Sequence, residues 1–284
     1  MLDCIVIGSG VAGISAALTL QANQKTCMII GNAHLSDKIT KAERIHNYPG
    51  LTDITGAEFT QKLQEQLKRA GISITEQKAT GVYPMQGKLG VATQEGGYFE
   101  AKTVILAGGV ETVKQIDGET QFTGRGVSYC ATCDGFLYKD KNIFVLCTSK
   151  RLESEIEHLA GYAKTVYAFL LYKDVGELPQ NVVFVKKMPK KIIGDKRVTG
   201  IEFVGESLQI DGVFVLKESA SPTSLLQELD VRDGHIVVDR NMQTNVQGVF
   251  AAGDCTGRPY QYAKAVGEGN VAAHSVSRYL YENK

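Results

Sequence analysis

The run DCIVIGSGVAGISAAL near the N-terminus constrains the fold more than any other stretch. Residues 3–8 form a short apolar run suited to a buried parallel strand, SGVAGISAALTLQANQ follows with helical spacing, and KTCMII reads as the next strand. Gly8, Gly10 and Gly13 therefore stand where a strand turns into a helix, the setting in which G-x-G-x-x-G marks a dinucleotide fold. The reason is steric: a bare backbone turns tightly enough for a pyrophosphate to reach the amides at the helix N-terminus. The acidic residue expected about 20 positions on, which would hold a ribose hydroxyl, is replaced by Gly31 and Asn32. Asn32 can still hydrogen-bond there.

A second stretch repeats this grammar and withholds the glycines. In NIFVLCTSKRLESEIEHLAG, residues 142–161, the apolar strand Ile143–Leu146 runs into Cys147-Thr148-Ser149-Lys150-Arg151 and then a helix-like segment. Side chains stand where a pyrophosphate would lie, so the shape of a nucleotide unit is kept without room for the nucleotide. Elsewhere an amphipathic helix, GAEFTQKLQEQLKRAG, precedes short strands over about 72–106 that end in TVILAGG, with Gly108 at the turn. Near the C-terminus VFAAGD delivers Gly253 and Asp254 from an apolar strand, and a closing helix is expected from about Glu268 to Tyr281. The flanks ETVKQIDGET and DVRDGH read as hinges. The sequence thus predicts an α/β protein with one domain built from residues 1–112 and 236–284 and a second, 113–235, inserted between them.

At 284 residues, with 43% hydrophobic and 22% charged side chains, the chain is long enough for two cores and too apolar for wholesale disorder. Its 31 basic and 31 acidic side chains cancel, which argues against a global grip on nucleic acid. No apolar run approaches the roughly 18 residues of a membrane span, and MLDCIVIGSG enters a strand at once. A cytoplasmic protein is expected, in which a structural disulfide framework would not persist. Cys4 and Cys27 lie in apolar strands as small core residues, Cys147 and Cys255 sit at strand ends, and only Cys130 and Cys133 have reactive spacing.

That pair lies in GRGVSYCATCDGFLY, residues 124–138. Two thiols at C-x-x-C spacing close a small disulfide ring with little backbone change, which makes a practical two-electron carrier. Asp134 follows at once, a carboxylate placed to shuttle the proton that thiol–disulfide exchange moves. A zinc site needs four ligands, and no second C-x-x-C or H-x-x-H stands among His34, His46, His158, His235 and His274, so no metal is expected. The plain alternatives are a chance pair of structural cysteines and an Asp134 that only caps the following turn.

Together, the glycine-rich N-terminus, NYPG, CATCDG in an inserted domain and VFAAGD near the end resemble the low-molecular-weight thioredoxin reductases over nearly the whole chain. The resemblance implies a two-domain, Rossmann-like flavoprotein disulfide reductase that binds FAD, forms a homodimer and reduces thioredoxin. It places FAD on residues matching Gly8, Ser9, Gly10, Ala12, Gly13, Asn47 and Asp254, with Asn32, Gly108 and Gly253 as neighbouring candidates. PYQYAKAVGEG is similar to the flavin-contacting start of the family's last helix, with Gln261 retained and Tyr260 where an arginine is usual. By the same likeness Cys133 is the thiol nearest the isoalloxazine, Cys130 attacks the partner's disulfide, and Asp134 serves as acid and base.

The family ordinarily binds NADPH in the inserted domain through a glycine turn and a downstream arginine cluster. Here LCTSKRLE and YAFLLYKD stand in those places, which removes both the bare turn and the bidentate phosphate grip. Lys150 and Arg151 supply charge but do not clear the steric block. The pattern is similar to the ferredoxin-dependent flavin thioredoxin reductases, and implies reduced ferredoxin as electron donor. The run KKMPKKIIGDKR, with Lys186, Lys187, Lys190, Lys191, Lys196 and Arg197, would steer an acidic donor, or is a solvated hairpin. Two other readings stay open: a diflavin-linked disulfide oxidoreductase, and a non-catalytic redox-sensing flavoprotein. A second FAD meets the same glycine-free turn, and Tyr162, Tyr167, Phe169 and Tyr172 have the spacing of core packing rather than of a flavin platform, so one FAD per chain is expected.

Overall fold

The structure is a computed structural model that describes residues 1–40, 42–94, 96–110, 115–217 and 222–283, with the side chains of residues 37 and 38 left aside. The chain divides into two compact units, Met1–Val110 with Ser219–Lys284, and Glu111–Glu218. In the first, β1 (Leu2–Ile7) feeds α1 (Val11–Ala22) and returns as β2 (Cys27–Gly31). A short α2 (Asp37–Thr40) and α3 (Gly56–Arg69) lead to β3 (Ile74–Glu76), then to β4 (Ala79–Met85), β5 (Lys88–Thr93) and β6 (Tyr98–Leu106). The helical spacing of Phe59, Leu63 and Leu67 gives α3 one buried stripe, and Thr55 and Glu58 close a capping box at its start.

The second unit begins with β7 (Val127–Ser128), α4 (Ala131–Asp134), β8 (Asn142–Cys147), α5 (Glu153–Ala160), β9 (Thr165–Leu170) and β10 (Val182–Phe184). A three-stranded antiparallel sheet, β11 (Lys191–Gly194), β12 (Val198–Glu202) and β13 (Ser207–Gln209), precedes β14 (Gly212–Leu216). The chain then re-enters the first unit as α6 (Pro222–Leu225), β15 (Val231–Arg232), β16 (His235–Ile236), β17 (Val249–Ala251) and α7 (Tyr262–Glu282).

Each unit is built on a sheet covered on both faces, mixed in the first unit, where β4, β5 and β6 pair antiparallel, and parallel in the second. The first has the order β3-β2-β1-β6-β5-β4 with β17 also on β6, and Ile7 and Ala251 both pair with Leu106, so three strands end level with one another. Cys4 and Val6 point into the core beneath α1 and α7, and Ile5 and Ile7 into the opposite core with Leu225, Leu226 and Leu229, as strand alternation requires. The second unit has the all-parallel order β10-β9-β8-β14-β7. Phe144 and Leu146 fill one of its cores, and Ile143, Val145 and Cys147 the other.

Three expectations from the sequence are corrected. Residues 222–235 belong to the first unit, because Leu225, Leu226 and Leu229 are buried beside Leu89 and Val104. The supposed hinge DVRDGH is a β-hairpin: Asp233 and Gly234 have φ of 52° and 77°, the two positive values that a tight two-residue turn between β15 and β16 demands. The other boundary, between 112 and 113, lies outside the described residues. The closing helix starts at Tyr262 and not near Glu268. Gly269 does not interrupt it, since a Cβ there would lie 2.1 Å from the Ala12 carbonyl oxygen, so the glycine lets α7 press on α1.

Candidate functional site

At the C-terminal ends of β1, β6 and β17 the sequence's glycine candidates converge. A Cβ on Gly8, whose φ is +116°, would meet the Ala107 oxygen at 2.3 Å and the Gly108 amide nitrogen at 2.9 Å, so these two turns touch. A Cβ on Gly13 would lie 1.9 Å from the Gly8 oxygen, and one on Gly253 would lie 2.9 Å from the Ala12 methyl. Around Gly10 the space is open. Gly10 also caps α1 without a side chain, and the first turn carries no acidic residue, so the leading amides and the positive end of the helix face outward.

Ser9 and Asn32 lock the ends of β1 and β2 together. The Ser9 hydroxyl donates to the Asn32 oxygen at 2.8 Å and accepts the Asn32 amide at 3.0 Å. The Asn32 side-chain oxygen accepts the His34 amide at 2.8 Å, which leaves its NH2 as the donor available to a ligand. Asn47 and Gln261, 214 positions apart, meet through an Nδ2–Oε1 bond of 2.7 Å just before α7 begins. Asp254 lies close enough to Tyr262 to add, after burial, to the upward push on that phenol.

Sequence reasoning missed the residues that shape the Asp254 turn. Glu268 Oε2 accepts the Gly253 amide at 2.8 Å and the Thr256 hydroxyl at 2.9 Å, while Lys264 Nζ donates to the Gly253 and Gly257 oxygens at 2.9 and 2.7 Å. Both project from α7 one turn apart, a spacing that could have identified them as an i,i+4 pair. Tyr260, in the place of the usual arginine, binds His235 Nε2 through its hydroxyl at 2.7 Å and carries the Arg258 guanidinium over its ring at 5.1 Å.

In the second unit Cys130 and Cys133 form a disulfide. Cys130 caps α4, its sulfur accepting the Cys133 amide at 3.2 Å. Cys133 is exposed and Cys130 half-buried, with Phe136 and Leu137 exposed just beyond. Asp134 is half-buried, and its Oδ2 accepts the hydroxyl of Ser128 at 2.6 Å. Tyr129 leads away to a buried group in which Glu119 receives the Tyr129 hydroxyl at 3.0 Å, the Lys217 ammonium at 3.3 Å and the Ile116 amide at 3.0 Å.

The other candidate turn of this unit is filled by the protein itself. After β8, Lys150 to Leu152 make one 3-10 turn, and α5 then opens on Glu153 and Glu155. Glu153 takes the Gly176 amide at 3.1 Å, and Lys150 pairs with Asp174 at 2.7 Å, so the loop after β9 is tied to the helix start. Glu155 is buried. The end of α5 that would attract a phosphate thus carries two carboxylates, and the lysine is already matched. Burial pushes the Cys147 thiol up to about 11, and Phe169 is buried in the core with Tyr167 packed against it.

Comparison with known proteins agrees with this geometry. Residues 2–153 and 180–269 match the pyridine nucleotide-disulphide oxidoreductase family. A thioredoxin reductase of Helicobacter pylori is 34% identical, covering 99% of each chain. Among solved structures, a ferredoxin-flavin thioredoxin reductase from Clostridium acetobutylicum is 45% identical, with a TM-score of 0.89 over 99% of this chain and 98% of that one. A second chain of that description from the same organism is 38% identical, with a TM-score of 0.91 over the same shares. Members of the matched family are FAD flavoproteins, and the first unit fits that cofactor: the space at Gly10 and the uncapped amides of α1 accept a pyrophosphate where any side chain would intrude.

Proposed function

This chain belongs to the pyridine nucleotide-disulphide oxidoreductase family as a flavin disulfide oxidoreductase of thioredoxin reductase type, and we propose that it draws electrons from reduced ferredoxin to reduce a thioredoxin disulfide through Cys130 and Cys133. The observation that carries the donor assignment is the Glu153 carboxylate on the Gly176 amide at the start of α5, beside an intact C-x-x-C. An NADPH pyrophosphate in that position would meet the like charge of a half-buried carboxylate at the helix start, and would find no bare turn. The ferredoxin-flavin thioredoxin reductases among its relatives support the same donor.

In this reading Gly8, Ser9, Gly10, Ala12 and Gly13 hold the FAD pyrophosphate, with Gly108, Gly253, Asp254, Asn32, Asn47 and Gln261 around it. FAD when bound supplies a carrier that can be filled by single electrons and emptied as a pair. Cys130 attacks the partner disulfide, Cys133 resolves the mixed disulfide, and Asp134 carries the proton. The exposed basic run is the docking face for the acidic donor, since Lys186, Lys190, Lys191, Lys196 and Arg197 all stand in solvent, and Phe184 and Met188 nearby in sequence are 52% and 49% exposed. Raising salt should then raise KM for ferredoxin several-fold while leaving KM for thioredoxin nearly unchanged. The family likeness supports a cytoplasmic homodimer.

The test is the donor assay. Protein mixed with NADPH or NADH should keep its yellow colour over a time in which reduced ferredoxin bleaches it and drives thioredoxin reduction. Rapid bleaching by NADPH would overturn the donor assignment, and bleaching by ferredoxin without thioredoxin turnover would favour a redox-sensing role.

A further inference from the structure

Ser128 makes three contacts that no spacing rule would have suggested. Its hydroxyl oxygen is 2.6 Å from Asp134 Oδ2 and 3.2 Å from the Cys130 carbonyl oxygen, and it accepts the Cys130 amide at 3.1 Å. The side chain comes from β7, in register with β14, and Ser128 is 6% exposed. A buried hydroxyl has one hydrogen to give and two lone pairs to offer. Here two acceptors lie within its reach, and one of them is the carboxyl assigned to proton transfer.

We infer that Ser128 is the positioning residue that lets Asp134 hold or release its proton without leaving a polar group unmatched. With Asp134 ionised, the Ser128 hydrogen points at Oδ2 and its oxygen accepts the Cys130 amide. With Asp134 protonated, the carboxyl O–H donates to Ser128 Oγ, and the serine hydrogen turns to the Cys130 carbonyl. In both states Asp134 Oδ2, the Ser128 hydroxyl and the Cys130 amide are matched, and the Cys130 carbonyl keeps the Asp134 amide at 3.3 Å, so none of these groups is left with a buried unmade hydrogen bond. An acid that must alternate needs this symmetry, which a backbone amide, donor only, would not provide.

The inference rests on the disulfide-exchange role given to Asp134 above. In that exchange Cys130 Sγ bonds to one partner sulfur as the partner's S–S bond breaks, and Cys133 Sγ then bonds to Cys130 Sγ as the mixed disulfide breaks. Two electrons and the two protons of the enzyme dithiol end on the partner's two thiols. Asp134 takes one proton from the dithiol and returns it to the leaving sulfur, and the Ser128 hydrogen swings once in each direction with no net transfer.

The test uses flavin-loaded enzyme with reduced methyl viologen as electron source, so the identity of the natural donor does not enter. Asp134→Asn should slow thioredoxin turnover about a hundredfold or more. Ser128→Ala should lower kcat about tenfold with KM for thioredoxin unchanged, and Ser128→Thr, which keeps the hydroxyl, should recover most of it. In the Asp134→Asn background, Ser128→Ala should add less than about twofold, because the serine acts through the carboxyl. A full tenfold loss in that background, failure of threonine to rescue, or wild-type kcat in Ser128→Ala would each overturn the role of Ser128. Wild-type turnover in Asp134→Asn would instead overturn the reading of Asp134 itself.

Discussion

β1 and β8 are built alike, each a central strand with parallel neighbours that runs into a helix, yet the two helix starts have opposite chemistry. After β1 come Gly8, open space at Gly10, and a first turn without an acidic residue. After β8 come Thr148 and Ser149, then Glu153 and Glu155, with the loop to Gly176 fastened over Glu153. A strand–turn–helix unit is therefore a scaffold, and whether it binds a dinucleotide is decided by a few side chains at the turn. The second unit keeps its cores, and the turn residues Thr148 to Arg151 lie outside them, so the turn can change without disturbing the fold.

The largest effect is expected from putting a side chain into the first turn. Gly13→Val would drive a branched group into the Gly8 carbonyl, which a Cβ alone would approach to 1.9 Å. The purified variant should retain little or no flavin, or fail to fold, whereas Thr148→Val at the second turn should leave flavin content at the wild-type level. Equal flavin loss from both would erase the distinction between the turns.

A gentler way to sharpen the comparison is to neutralise the second turn. Removing both carboxylates, in Glu153→Gln with Glu155→Gln, takes away repulsion but not bulk. Titration with NADPH should still show no saturable binding below about millimolar, and tight binding would show that charge alone closed the site. The single change Glu153→Gln should loosen the 171–178 loop by about 1 kcal/mol, read as faster hydrogen exchange at the Gly176 amide.

The two strands also share a buried thiol, Cys4 in β1 and Cys147 at the end of β8, pushed up by burial to about 12 and about 11. Above the ordinary thiol value of about 8.5 the unfolded chain ionises at these residues and the folded chain does not, so stability falls as pH rises. The expected loss is about 2 kcal/mol for each by about pH 10, measured by denaturant unfolding, and Cys4→Ser with Cys147→Ser should flatten the dependence. At neutral pH an alkylating agent should label reduced Cys130 and Cys133 long before either.

What the sequence made legible follows the same division. The glycine turn, the strand alternation around Ile5 and Val6, and the missing glycines after Leu146 are local patterns, and local sterics were enough to read them. Three features depended on tertiary pairing. DVRDGH looked like a hinge because Asp-Gly serves hinges and hairpins equally, and only the partner strand decides. The closing helix, expected from about Glu268, starts at Tyr262, and its close seat on α1 at Gly269 is a tertiary contact that local spacing does not show. Ser128 left no trace in residue type because its partners are the carboxyl of Asp134 on α4 and the backbone of Cys130, whereas the i,i+4 spacing of Lys264 and Glu268 is legible and only their backbone partners are not.

The most direct test of the central claim, that one of the two strand–turn–helix units holds a dinucleotide and the other does not, is the flavin count. Acid release of FAD from a weighed sample of fully loaded protein should give one flavin per chain, and Gly13→Val should bring that figure toward zero. A ratio near two per chain would contradict the account, because a second FAD would have to find at Cys147 to Arg151 the room that Glu153 and its loop are held to deny.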